Sequence, residues 1–316
     1  MSPGQNRTAT GQIRADAPRA LAISALVLAG LAAVSCGQSS ESRPPDPGTT
    51  AAPAPSLSAT AAGAAAPALL DPNPFKLPSR TLALDPGRRV FAVSEQTLAG
   101  AKLGSTLVLH ASAVTGFDGE LLVIEGHNGP PYKVHPAYVI AVPDKPSIRP
   151  GEPVITEHHG LLRHAVVKKH VRDRVTVRFT EEGGRLGELI LKNTRFIRQN
   201  PGLQPGNYAA LGDGETLRHV LLVSPFEDGD KKWLVLGAGG AAMIAAESAL
   251  EAIPVKYQPR AGTAVLAEHN GVLRKATIQS ASEPGLFTVK YERAGRPATL
   301  GWGFVLPVAP DRKADR

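Results

Sequence analysis

The chain has 316 residues, 42% of them hydrophobic, with 28 prolines, 32 glycines and one cysteine. Such a composition can supply packed cores but leaves little room for long helices, and a lone cysteine excludes both an intramolecular disulfide framework and a cysteine-based zinc site. A formal charge of +7 permits acidic partners without specifying a fold.

Residues 1–19 carry Arg7, Arg14 and Arg19 against Asp16, a basic leader to the apolar stretch Leu21–Val34. At about 14 residues that stretch suits the apolar region of a signal peptide, whereas spanning a bilayer takes roughly 20. It ends in Ala33-Val34-Ser35-Cys36 and a polar Gly37-Gln38-Ser39-Ser40 run. The tetrapeptide resembles the bacterial lipobox, in which small residues admit the signal peptidase and the thiol receives a diacylglyceryl group. Ala33 stands where Leu is usual, and the basic leader is long. The resemblance implies a signal peptide over 1–35, lipidation at Cys36 and a lipid anchor in the membrane. Gly37, in place of an Asp, favours the outer membrane, with the rest of the chain in the periplasm or facing the cell surface. An uncleaved anchor, or an ordinary cleavage that frees the Cys36 thiol, stays open.

From Gln38 to about Asn73 the sequence is Ala, Pro, Ser, Thr and Gly, interrupted by Pro44, Pro45, Pro47, Pro53, Pro55 and Pro67. It cannot bury enough surface to offset chain entropy, so 36–80 is expected to be a disordered linker. Beyond it the chain repeats itself. The segment 151–167 aligns without gaps on 262–278, sharing Glu157-His158-x-Gly160 with Glu268-His269-x-Gly271 and Leu162-Arg163 with Leu273-Arg274. Gly206–His219 restates the theme through Leu217-Arg218, and a divergent copy starts near Pro86. The interval of about 55–65 residues is that of a small domain.

Within the second copy the pattern predicts strands throughout. Val154 and Ile155 open one, Leu161–Lys168 form the next, and Arg172-Asp173 turn the chain. Val175–Phe179 alternate with period two, Glu182-Gly183-Gly184 turn again, Leu186, Leu189 and Ile190 begin a fourth strand, and Phe196-Ile197 close the unit. Five short strands with tight turns suit a small closed barrel. This order resembles the Tudor and Agenet modules of the SH3-like barrel class. The expected fold is all-β: tandem SH3-like barrels over 81–145, 149–199, 203–256 and 259–310.

Tudor modules that read methylated side chains box the cation with aromatics. Carried over by position, the box holds Thr156 and Ala267 in the first strand, Arg163 and Arg274 in the second, and aromatics only at Phe179 and Tyr291. A methyl-mark reader is therefore not expected, and Phe179 and Tyr291 read as core or rim packing. Val235–Ala242 looks like a dinucleotide-binding glycine loop but lacks the βαβ unit and its acid, and falls at a third-to-fourth-strand hairpin. His158, His159, His164 and His170 show no metal-ligand spacing and read as turn and surface residues, with period two placing His164 and Lys168 on one face. Lys168, Lys169, Arg172 and Arg174 surround one hairpin in a basic copy, while Arg163, Arg218 and Arg274 recur at matching places. These seven are the candidate ligand-binding residues. Either set is equally readable as solvated or structural, each strand arginine pairing with a neighbouring acid.

No catalytic motif or cofactor site appears. The expectation is a non-enzymatic envelope lipoprotein whose modules bind a protein or an anionic polysaccharide; the alternative is a structural spacer or assembly subunit without a separate ligand. An exported chain is not expected to meet nucleic acid.

Overall fold

A computed structural model describes residues 70–308, except 145–146, 182–186, 193–194, 214–215 and 294–295. The signal segment, Cys36 and the first part of the linker lie outside the described residues. Among those described, no helix is long and apolar enough to cross a membrane.

The fold is all-β and built from four five-strand sets. The first holds β1 (Arg89–Val93), a short helix α1 (Glu95–Leu98), β2 (Leu109–Asp118), β3 (Leu121–Ile124), β4 (Tyr132–Val134) and β5 (Val139–Ala141). The second holds β6 (Pro153–His158), β7 (Leu161–Val171), β8 (Arg174–Phe179), β9 (Glu188–Lys192) and β10 (Ile197–Arg198). The third runs from β11 (Tyr208–Asp213) through β12 (Thr216–Asp228), β13 (Asp230–Leu236) and β14 (Ala242–Ala246) to β15 (Leu250–Ala252). The fourth comprises β16 (Ala264–His269), β17 (Val272–Glu283), β18 (Leu286–Tyr291), β19 (Ala298–Gly301) and β20 (Val305–Pro307).

Every set has the same antiparallel order, with the fifth strand beside the first and then the second, third and fourth. Every second strand also shifts register in mid-course, at Val114/Gly116, Val167/Lys169, Leu222/Ser224 and Ile278/Ser280. A bulge at that point bends the long strand so that it can serve both halves of a small barrel.

The repeated Glu-His-x-Gly has a conformational cause. Glu157 Oε1 accepts the Gly160 N–H at 2.7 Å, and Glu268 Oε1 accepts the Gly271 N–H at 2.7 Å. His159 and Gly160 have φ of 52° and 75°, Asn270 and Gly271 have 53° and 79°. Two successive positive φ values make the primed two-residue turn that suits strand twist, and the carboxylate caps it.

The four modules do not hang separately on linkers. Leu109 N–H donates to Gly160 O at 3.0 Å, joining the first module to the second, and His219 N–H donates to Gly271 O at 2.9 Å, joining the third to the fourth. Leu107 N–H donates to Gly240 O at 2.9 Å and Ala242 N–H to Ser105 O at 2.9 Å, stitching the first module to the third. Strand β7 sits at the middle. Ala165 and Val167 face its own core, while on the opposite face Leu162 enters the core of the first module and Val166 that of the fourth. His164, between them, is 2% exposed and lies against Tyr208 of the third. The surface position expected for His164 is thus overturned, because neighbouring modules bury the outer face of its strand.

The first described residues depart from their compositional reading too. Leu77 is buried, Phe75 meets Tyr138 edge-on at 5.6 Å, and Pro72 O accepts the His135 N–H at 3.0 Å. Residues 70–80 therefore pack on the first module instead of belonging to a free linker, since Leu70, Phe75 and Leu77 supply the apolar anchors that the Ala/Pro stretch lacks.

Candidate functional site

Lys168, Lys169, Arg172 and Arg174 come together at the exposed end of the β7–β8 hairpin. Arg172 takes a positive φ of 56° to make the turn with Asp173. Cross-strand pairing adds a cation that sequence reading did not single out for the site: Arg174 stands directly opposite Lys192 of β9. Lys168 Nζ lies 3.9 Å from a Glu283 carboxylate oxygen of the fourth module. Like charges placed opposite one another repel unless an anion sits between them, so this end of the second module presents a positive, solvent-facing rim.

The three recurring arginines occupy one structural position. Each is the third residue of its second strand, opposite Thr156, Leu211 and Ala267 respectively. Their surroundings differ. Arg163 forms an ion pair with Glu181 at the meeting point of the modules, with side chains only 15% and 10% exposed. Arg218 is exposed, its Nη1 4.0 Å from Met243 Sδ. Arg274 is exposed and lines a surface pocket of about 480 Å³ with His269, Lys275, Tyr291, Glu292 and Arg293.

The Arg163–Glu181 pair opens onto a cleft of about 420 Å³ walled by all four modules. Tyr208 Oη donates to Glu181 Oε1 at 2.8 Å, and the Tyr208 ring lies 3.9 Å from His164 and 4.3 Å from His219. Phe304 stacks on His219 at 4.9 Å. Burial raises the Glu181 carboxyl above its ordinary value, while Arg163 pulls it back down. Burial also raises the Tyr208 phenol, helped by Glu181, and lowers both imidazoles, His164 to about 3. Sequence reading missed Glu181, Tyr208, His219 and Phe304. Their proximity arises from packing between modules, which no spacing within one repeat encodes.

The remaining histidines fall into ordinary roles. His158 stacks on Phe179 at 5.0 Å, and His170 Nδ1 is 2.9 Å from Ile148 O. Among the described residues no three metal-ligating side chains converge. Phe179 and Tyr291 are buried, Phe179 in the second core and Tyr291 in the fourth. The glycine run Val235–Ala242 connects β13 to β14, the hairpin position expected of it.

No protein-family model matches the chain, and a search of curated proteins finds no match. Among solved structures, AGDP1 AGD34 from Arabidopsis thaliana is similar at 14% identity, over 34% of this chain and 82% of that one, with a TM-score of 0.23. The ADCP1 tandem Agenet domain 3-4 is similar at 13% identity, over 34% and 80%, with a TM-score of 0.22. The four MBT repeats of Drosophila melanogaster Sfmbt, solved with the peptide RHR (me)K VLR, align at 8% identity over 71% and 88%, with a TM-score of 0.16. At such TM-scores the fold rests on this chain's own strand order and registers.

Proposed function

We propose that this chain is a non-enzymatic lipoprotein of the cell envelope, held at a membrane through acylated Cys36, whose fused SH3-like modules bind an anionic partner. One observation carries the reading. Lys168, Lys169, Arg172 and Arg174, joined by Lys192, form an exposed positive rim, with Asp173 and Glu283 beside them. A rim of this kind attracts acidic protein segments or acidic polysaccharide, and such attraction weakens with salt. The outer membrane, with the modules in the periplasm or facing the surface, is the proposed site because Gly37 follows the lipid-bearing cysteine.

Retention of the full-length chain, held in mild detergent, on dextran sulfate beads tests the ligand class. Retention should fall steeply with added salt and disappear on reversing Lys168, Lys169, Arg172 and Arg174 to Glu. Unchanged retention would sink the polyanion reading. Metabolic labelling with a radioactive fatty acid, lost in Cys36→Ala, tests the anchor.

A second reading has its own support. The modules are locked together, and Arg178 of the second pairs with Glu283 of the fourth. A rigid spacer or assembly subunit without a separate ligand would need such locking, and a chain that ignores polyanions would favour it.

A further inference from the structure

Strand β9 stands at the edge of its sheet: it pairs with β8 and, among the described residues, with no second strand. Its sequence is Glu188-Leu189-Ile190-Leu191-Lys192. Leu189 and Leu191 pack on the second core, while Ile190 points outward and is 55% exposed. An exposed, unpaired strand edge is a template for another strand, and a bare isoleucine on it is unusual in a chain that must stay soluble.

The backbone phase of this edge can be read. Phe179 N–H donates to Gly187 O at 3.4 Å, which makes the facing Arg178–Glu188 pair one without mutual hydrogen bonds. Alternation along an antiparallel ladder then turns the N–H and C=O groups of Glu188, Ile190 and Lys192 toward the open side. Those same residues carry the exposed side chains. Their order, an acid, an apolar residue and a base, is antisymmetric about Ile190.

We infer that β9 is a self-association edge, at which two copies of this chain pair antiparallel about a two-fold axis through Ile190. In that arrangement Ile190 faces Ile190 of the second copy. Glu188 faces Lys192 of the second copy, and the reverse pair repeats across the axis, as an isologous contact requires. Each facing pair exchanges both backbone hydrogen bonds. The charge order commits the edge to this occupant. Arg174 and Lys192, set opposite each other on β8 and β9, gain a carboxylate neighbour from the second copy's Glu188. A register slipped by one residue would set the open N–H and C=O groups of one copy against Leu189 and Leu191 of the other, whose own groups are turned to β8. A one-residue slip is therefore excluded, and the charges select among the remaining registers.

The charges make the test specific. Full-length chain in mild detergent should be dimeric by sedimentation velocity. Glu188→Lys alone and Lys192→Glu alone each place like charges opposite one another twice, and should weaken the dimer about tenfold or more. Mixing these two variants restores both attractive pairs, so the mixture should dimerise although neither variant does alone. In the full-length Cys36→Ala chain, Ile190→Cys should form an intermolecular disulfide under mild oxidation. Thr176→Cys, one strand further in on the same face, should not. A wild-type chain that stays monomeric at high micromolar concentration overturns the inference, and this is also the result if the edge serves a different protein. Dimers indifferent to both charge changes, a mixture that fails to re-form, or crosslinking at Thr176→Cys and not at Ile190→Cys each overturn it as well.

Discussion

Taking Arg163 and Glu181 out of water costs each its hydration, and they repay this only together, with the Tyr208 hydroxyl and the His164 N–H also directed at the carboxylate. Arg163→Met should therefore destabilise the chain by about 3–5 kcal/mol, because it leaves Glu181 buried without its cation. The double change Arg163→Met with Glu181→Leu should recover most of that loss, since no charge is then stranded. Urea unfolding of the three variants beside the wild type measures it. A cost below about 1 kcal/mol for Arg163→Met would place this arginine with the surface ion pairs and leave it available for a ligand.

At the level of elements, the Glu-x-x-Gly turn both reverses the chain and docks on a neighbour. A Cβ on Gly160 would collide with Val108 of the first module, and one on Gly271 would come within 2.6 Å of Ala238 Cβ of the third. Gly160→Ala and Gly271→Ala should each cost about 1–3 kcal/mol, from positive φ and overlap together. Glu157→Gln, which keeps an acceptor for the Gly160 N–H, should cost under about 1 kcal/mol. Thermal denaturation of the full chain separates these outcomes, and a neutral Gly160→Ala would mean that the joint is loose.

The same turn shows how far sequence reasoning reaches. Glu157, Gly160, Glu268 and Gly271 repeat visibly because local conformation requires them, and the period-two run Val175–Phe179 gives its strand directly. By contrast, β7 is buried on both faces, so Leu161–Val167 shows no alternation, and His164 reads as a surface residue although packing hides it. The hairpin cations were legible because they are adjacent in sequence. Lys192 joined them only through cross-strand pairing, and the cleft around Tyr208 only through packing between modules. Cys36 and its tether rest on sequence alone.

Considered as a whole molecule, the body should lose its structure in one step. His164 ties the second module to the third: its Nε2 is 2.9 Å from Gly206 O and its ring meets Tyr208, both of the third, while Gln199 Nε2 of its own module lies 3.0 Å from its Nδ1. With Nε2–H donating to Gly206, Nδ1 accepts from Gln199, so a second proton has no acceptor. Burial consequently holds this imidazole at about 3 in the folded chain, against an ordinary value of 6.5. A group whose folded value is depressed gives stability that is complete above the unfolded value and is lost as pH falls toward the folded one. The loss from His164 should thus run between pH 6.5 and about 3, at up to about 1.4 kcal/mol per pH unit. His219, also lowered by burial, acts in the same direction, while Glu181, raised by burial, opposes them. Acid titration followed by tryptophan fluorescence should give one cooperative transition, moved to lower pH in His164→Asn. Two or more separate transitions would show that the modules come apart singly.

The capped glycine turn occurs in the second and fourth modules and seats each on the module before it, whereas the first module joins β1 to β2 by a longer connection containing α1. The inheritable unit of this architecture is consequently a couple. Recombination that removes or adds a single barrel would leave a socket without its plug, so viable length variants of this chain should differ by two barrels at a time.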